Sequence, residues 1–233
     1  MITCIFFSLA SHASLAADSV PLKELVANAV NKVDGIEPGY SEKWAFTKTT
    51  IQNGDVYVEN FNPKNESTGQ WTLVSFNGKS PGPQKFEEYQ KIISERNKLI
   101  AAGKKEGKKW LAWMIDMDSV HLMSDTPDEL HVSFIPLLKG MSQEDKKKGI
   151  GELVISKDGD YVRSVEVKNK EPFSPNFAMK IEVMKSTYAF QKLNDGDYVP
   201  QHNTTAAKAR IAGVKTIEDA RDEKYGSYVS GDK

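Results

Sequence analysis

The chain is nearly devoid of cysteine. Cys4 is the single one among 233 residues, and residues 18–233 contain none. That excludes disulfides, zinc–thiolate centres and cysteine nucleophiles from this stretch. Neither sign of charge dominates, with 31 basic against 32 acidic side chains. No global field therefore draws the protein to nucleic acid or to an anionic membrane surface. After the N-terminus there is no run of about 20 apolar residues, the length a membrane-crossing helix needs. A phosphate-binding loop, a zincin histidine pair, a Gly-x-Ser-x-Gly elbow and a Rossmann glycine series are all missing. Lys104, Lys105, Lys108 and Lys109 have no aromatic series beside them. They read as a solvated helix end, not a nucleic-acid patch.

What is present begins with an address. Ile2 to Leu9 is an apolar run, followed by Ala13-Ser14-Leu15-Ala16-Ala17 and the charged Asp18. An apolar core followed by small residues is the order of a secretory signal. Residues 1–17 are expected to be a cleaved signal peptide, and 18–233 a single domain.

The rest alternates between two periods. Leu22, Leu25, Val26, Ala29, Val30 and Val33 recur at helical spacing, with Pro21 at the start and Gly35 past the end. From Lys43 the period is two, so Trp44, Phe46, Lys48 and Thr50 share one strand face. Asn53-Gly54 supplies a hairpin turn. Val56–Phe61 and Gln70–Phe76 form two further strands. Residues 84–102 return to helical spacing through Phe86, Tyr89, Ile92, Ile93, Leu99 and Ile100. Hairpins then follow around 125–128, 157–160 and 194–197, with a long strand at 177–190. Residues 210–229 are weakly patterned and fit either a strand or a short helix. There is no βαβ alternation, so a parallel nucleotide-binding sheet is excluded. The expected fold is α+β: a curved, half-open antiparallel sheet or barrel with two helices covering its concave face.

Chemistry is sparse. Met117, His121 and Met123 would share a strand face, and thioethers with imidazole suit Cu(I). The competing reading is core filling by methionine. Asp116 and Asp118 lack the glycine and terminal glutamate of a calcium loop. The carboxylates Asp158, Asp160, Asp195 and Asp197 sit in turns, where backbone geometry selects them. A hydrolase would need two carboxylates facing across a cleft. No cofactor is indicated. The remaining signal is apolar: Trp44, Phe46, Trp71, Leu73 and Phe134 at sheet positions, and Phe86, Tyr89 and Ile93 on the second helix. They fit an ordinary helix-on-sheet core, or the lining of an apolar cavity.

Three blocks carry a resemblance. They are Trp44-Ala45-Phe46-Thr47-Lys48-Thr49-Thr50, then Val58-Glu59-Asn60-Phe61-Asn62-Pro63, then Gly69-Gln70-Trp71-Thr72-Leu73-Val74-Ser75-Phe76-Asn77-Gly78-Lys79-Ser80-Pro81. With Gly151–Ile155 and Pro172-Phe173-Ser174-Pro175, this order resembles exported bacterial proteins of the lipoprotein-localisation-factor (LolA/LolB-like) type. The resemblance implies a half-open barrel with a helical lid over an apolar cavity. It further implies a non-enzymatic periplasmic protein binding a lipid, a lipoprotein acyl chain or another apolar ligand. An acylated protein or an envelope protein is the implied partner, and nucleic acid is not. The alternatives are a cell-envelope interaction module without a small ligand, a copper-binding protein and a hydrolase.

Overall fold

The computed structural model describes residues 19–34, 36, 41, 43–65, 69–101, 110–137 and 142–230. The expected leader, residues 1–17, lies outside them. The elements are α1 (Ser19–Val33), β1 (Trp44–Gln52), β2 (Asp55–Phe61), β3 (Trp71–Phe76), α2 (Pro83–Ala101), α3 (Trp110–Met114) and β4 (Ile115–Asp125). They continue with β5 (Glu129–Pro136), α4 (Gln143–Lys146), β6 (Gly149–Ser156), β7 (Tyr161–Asn169), β8 (Phe173–Asn176), β9 (Met179–Lys192), β10 (Tyr198–Ile211) and β11 (Lys215–Ser230).

The strands build one antiparallel sheet in the order β3-β2-β1-β11-β10-β9-β7-β6-β5-β4, with β8 added beside β9. β3 and β4 are its two edges, so the sheet does not close into a barrel. The final strand β11 is the seam, pairing β1 on one side and β10 on the other. The longest helices, α1 and α2, pack on the same face. Val26, Ala29, Val30 and Val33 of α1 are buried against β4–β7 and α3. Tyr89 and Ile93 of α2 are buried against β1–β3. The fold is thus the mixed α+β class expected, an open antiparallel sheet with helices on one face.

Local chemistry explains most boundaries. Asn53-Gly54 and Asn77-Gly78 have positive φ at both residues. That is the conformation two-residue hairpin turns require, and Asn and Gly reach it most easily. Ser142 caps the short α4 by accepting a hydrogen bond from the Asp145 N–H. The structure adds one element to the sequence reading and decides an alternative that it left open. A one-turn helix, α3, precedes β4, and β4 starts at Ile115. The weakly patterned 210–229 segment is the end of β10 and nearly all of the 16-residue β11. β11 hides its period because charge sits on both of its faces, from Glu218 to Lys224. Its place in the sheet comes from ladder hydrogen bonds on both sides, not from an apolar stripe.

Candidate functional site

Strand register defines the helix-covered face. One row of cross-strand partners runs Phe76–Tyr57–Thr50–Glu223–Asn203–Tyr188–Val165–Leu153–Val132. Its middle is polar and its β7–β5 end is aliphatic. The buried apolar residues accordingly form two separate cores. The larger joins α1, α3 and β4–β7. The smaller joins α2 with Phe46, Phe61, Trp71, Leu73 and Tyr225.

At the margin of the smaller core lies a buried ion cluster. The Lys48 side chain is 3% exposed, and its Nζ stands 3.0 Å from Glu59 Oε2 and 3.6 Å from Glu223 Oε1. The Tyr89 hydroxyl donates to Glu59 Oε1 at 2.9 Å, and Thr50 donates to Glu59 Oε2 at 3.3 Å. Tyr225 donates to Glu223 at 3.0 Å, and Asn203 donates to the Tyr225 hydroxyl at 3.4 Å. Lys48 Nζ also lies 4.6 Å from the Trp71 ring centroid, a cation–π distance. Each charge here has partners, the condition under which burial is tolerated. Tyr89 links α2 to the sheet through this cluster, so the cluster orients the helix.

Between the two cores the same sheet face is less well covered. The next two rows run Gln52–Arg221–Thr205–Ser186–Val167 and Asp219–Ala207–Met184. Thr205, Ser186, Ala207 and Met184 are half-buried, and Arg221 is exposed. Tyr188 and Trp110 close the larger-core side, with ring centroids 4.8 Å apart. Burial holds the Tyr188 phenol above its ordinary pKa. The Trp110 Nε1–H is buried and has no hydrogen-bond acceptor among the described residues. The result is a half-buried strip floored by Thr205, Ser186, Ala207 and Met184, with a polar end at Gln52 and Arg221.

The residues singled out from the sequence fall in several different places. Phe46, Trp71, Leu73, Tyr89 and Ile93 come together in the smaller core, each 5% exposed or less. Phe46 packs on Phe61 and Trp71 with centroids at 5.0 and 5.7 Å. Phe134 lies in the larger core, with its ring across Gly151. Phe86 lies in the first turn of α2 and is 43% exposed. Trp44 sits at the strand end, where its indole N–H donates to Asp197 at 2.9 Å. Met117, His121 and Met123 are not gathered on one face. β4 changes register between Asp116 and His121. Met117 packs against the α1 core, while His121 and Met123 are exposed.

Lys48, Glu59 and Glu223 were not among the sequence candidates. A signal existed for two of them, since Lys48 alternates with Phe46 and Thr50, and Glu59 with Tyr57 and Phe61. In these two strands the charge in phase with the aromatic residues is a buried one.

The Trp44 corner yields a pH prediction. Lys43 donates to Asp197 at 2.7 Å and to Asp195 at 3.2 Å. The Lys43 hydrogen bond, aided by Trp44 and opposed by burial, holds the Asp197 carboxyl below its ordinary 3.8. A carboxyl with a lower pKa when folded stabilises the fold above its unfolded pKa. That contribution is lost as pH falls through the folded value. Asp197→Asn should therefore flatten the acid limb of stability below about pH 4. Urea unfolding at successive pH values tests this, and an unchanged acid limb counts against it.

The comparisons with known proteins return nothing: no protein-family model, no curated protein and no solved structure matches this chain.

Proposed function

We propose that this chain is a non-enzymatic binding protein for an apolar ligand held between the sheet and its helices. More narrowly, we read it as an exported periplasmic protein of the lipoprotein-localisation-factor type, taking a lipid, a lipoprotein acyl chain or a similar apolar molecule. The observation that supports this most is the strip between the two cores. Its floor is Thr205, Ala207, Ser186 and Met184, side chains that are half-buried where those of the flanking cores are fully buried. Each methylene a ligand buries there is worth about 0.8 kcal/mol, with no need for directed polar contacts. The tightly packed Phe46, Trp71, Leu73 and Tyr89 serve as the wall that seats α2. They reach a ligand when α2 moves away. Phe86 is their exposed neighbour on that helix.

Native mass spectrometry on protein recovered from its own periplasm, followed by organic extraction, tests the reading. A stoichiometric apolar ligand is the expected result. Ala207→Trp should fill the strip and abolish that ligand while leaving the melting temperature nearly unchanged. Tyr89→Phe removes the hydrogen bond to Glu59 and should loosen α2 without emptying the core. An apo mass that stays unshifted after incubation with phospholipids and a lipopeptide overturns the proposal in favour of an interaction module.

A further inference from the structure

Two hairpin tips at the far end of the sheet carry exposed apolar side chains. The β8–β9 turn presents Phe177, and the β10–β11 turn presents Val214. Phe177 is 105% exposed and Val214 88% exposed, the two most exposed large apolar side chains among the described residues. The turns are knitted together, since the Ala212 N–H donates to the Ala178 carbonyl at 2.7 Å. Phe177 and Val214 therefore project from one end of the molecule.

The second turn is unusual in its choice of residue. Ala212 and Gly213 have φ of 49° and 73°, the left-handed pair of a tight hairpin turn. The same conformation at 53–54 and 77–78 is built from Asn-Gly. Asn tolerates this region far better than Ala does. Ile211-Ala212-Gly213-Val214 is thus an apolar tip where turn chemistry favours a polar one.

Charge behind the tips is positive. Lys180 is the second residue of β9 and Lys215 the first of β11, and neither has an ion-pair partner among the described residues. The nearby carboxylates Glu182 and Glu218 are already held by Arg210 at 2.9 Å and Lys208 at 2.6 Å. A net charge of −1 for the whole chain conceals this local asymmetry. Apolar side chains at a tip with unpaired lysines behind them combine the two signals that interfacial anchoring uses.

We propose that this end of the sheet docks on an anionic lipid bilayer, with Phe177 and Val214 entering the interface and Lys180 and Lys215 meeting phosphate headgroups. The docking is independent of the ligand reading and holds whether or not the strip is occupied. Co-sedimentation of the purified protein with vesicles of equal parts phosphatidylglycerol and phosphatidylcholine tests it. The protein is expected to pellet with these vesicles and far less with phosphatidylcholine alone. Phe177→Ser with Val214→Ser should weaken binding by at least about tenfold, at an unchanged melting temperature. Lys180→Glu with Lys215→Glu should weaken it by about tenfold or more and remove most of its salt sensitivity. A protein that stays in the supernatant overturns the proposal. So does a Phe177/Val214 variant that binds like the unaltered chain. Self-association in lipid-free solution that disappears in that variant also overturns it, because the tips would then join two copies of the chain.

Discussion

Lys48→Met should destabilise the protein by about 3–5 kcal/mol, the cost of breaking a buried ion pair from one side. The substitution roughly preserves the length of the side chain and removes its charge. Glu59 and Glu223 then share a buried site with no cation beside them. The hydrogen bonds from Tyr89 and Thr50 to Glu59 remain, but they do not replace a positive charge in a low dielectric. Urea unfolding gives the loss directly. The argument also fixes the behaviour of a double variant. Lys48→Met with Glu59→Gln removes both charges of the closer pair, while Glu223 keeps the Tyr225 hydroxyl. It should be more stable than Lys48→Met alone, with a coupling of about 0.5–3 kcal/mol. A Lys48→Met loss below about 1 kcal/mol would mean that water reaches the cluster. Because Tyr89 ties α2 to Glu59, hydrogen exchange in α2 should quicken in Lys48→Met before the rest of the sheet opens.

Gly151→Ala is the second large effect. A Cβ on Gly151 would lie 2.2 Å from Cζ of Phe134 and 2.4 Å from both of its Cε atoms. Phe134 is 2% exposed and belongs to the larger core, so its ring has no vacant side to move into. Forcing an extra carbon into a packed interior costs about 1–3 kcal/mol, and this approach is closer than most. The partner change is informative. Phe134→Leu alone leaves a void over Gly151 and destabilises the fold. Combined with Gly151→Ala, the two volume changes offset. The double variant should be more stable than the sum of the single effects by at least about 1 kcal/mol. Strict additivity would show that the ring is not seated on Gly151. If Phe134 lined a ligand cavity instead, Phe134→Leu would change ligand retention with little loss of stability.

The order from α1 through β1–β3 to α2, and the run of hairpins after it, was legible because it rests on short-range periodicity. The α1 stripe from Leu22 to Val33, the Asn53-Gly54 and Asn77-Gly78 turns and the alternation through Trp44, Phe46, Lys48 and Thr50 all appear in the chain as local patterns. β11 was not legible. Its neighbours β1 and β10 supply its hydrogen bonds, and its charged side chains serve one face in solvent and one face in the polar row. The grouping of site residues was legible only in part. Phe46, Trp71, Leu73, Tyr89 and Ile93 meet in one core as the alternation and helical spacing suggested. Phe134 belongs to a different core, because five strands separate β1 from β5 along the order of the sheet.

The sequence by itself determined the α+β class, the absence of disulfides after the N-terminal segment, the positions of the principal turns and the faces that seek burial. Those features depend on single residues and on periods of two or 3.6. Tertiary structure alone decided that β11 joins the two halves of the sheet and that Glu223 reaches Lys48 from the other end of the chain. It also decided that Phe177 and Val214 stand on adjacent tips. These are long-range juxtapositions. They arise from strand order and register, and no local pattern in a chain encodes which distant strand becomes its neighbour.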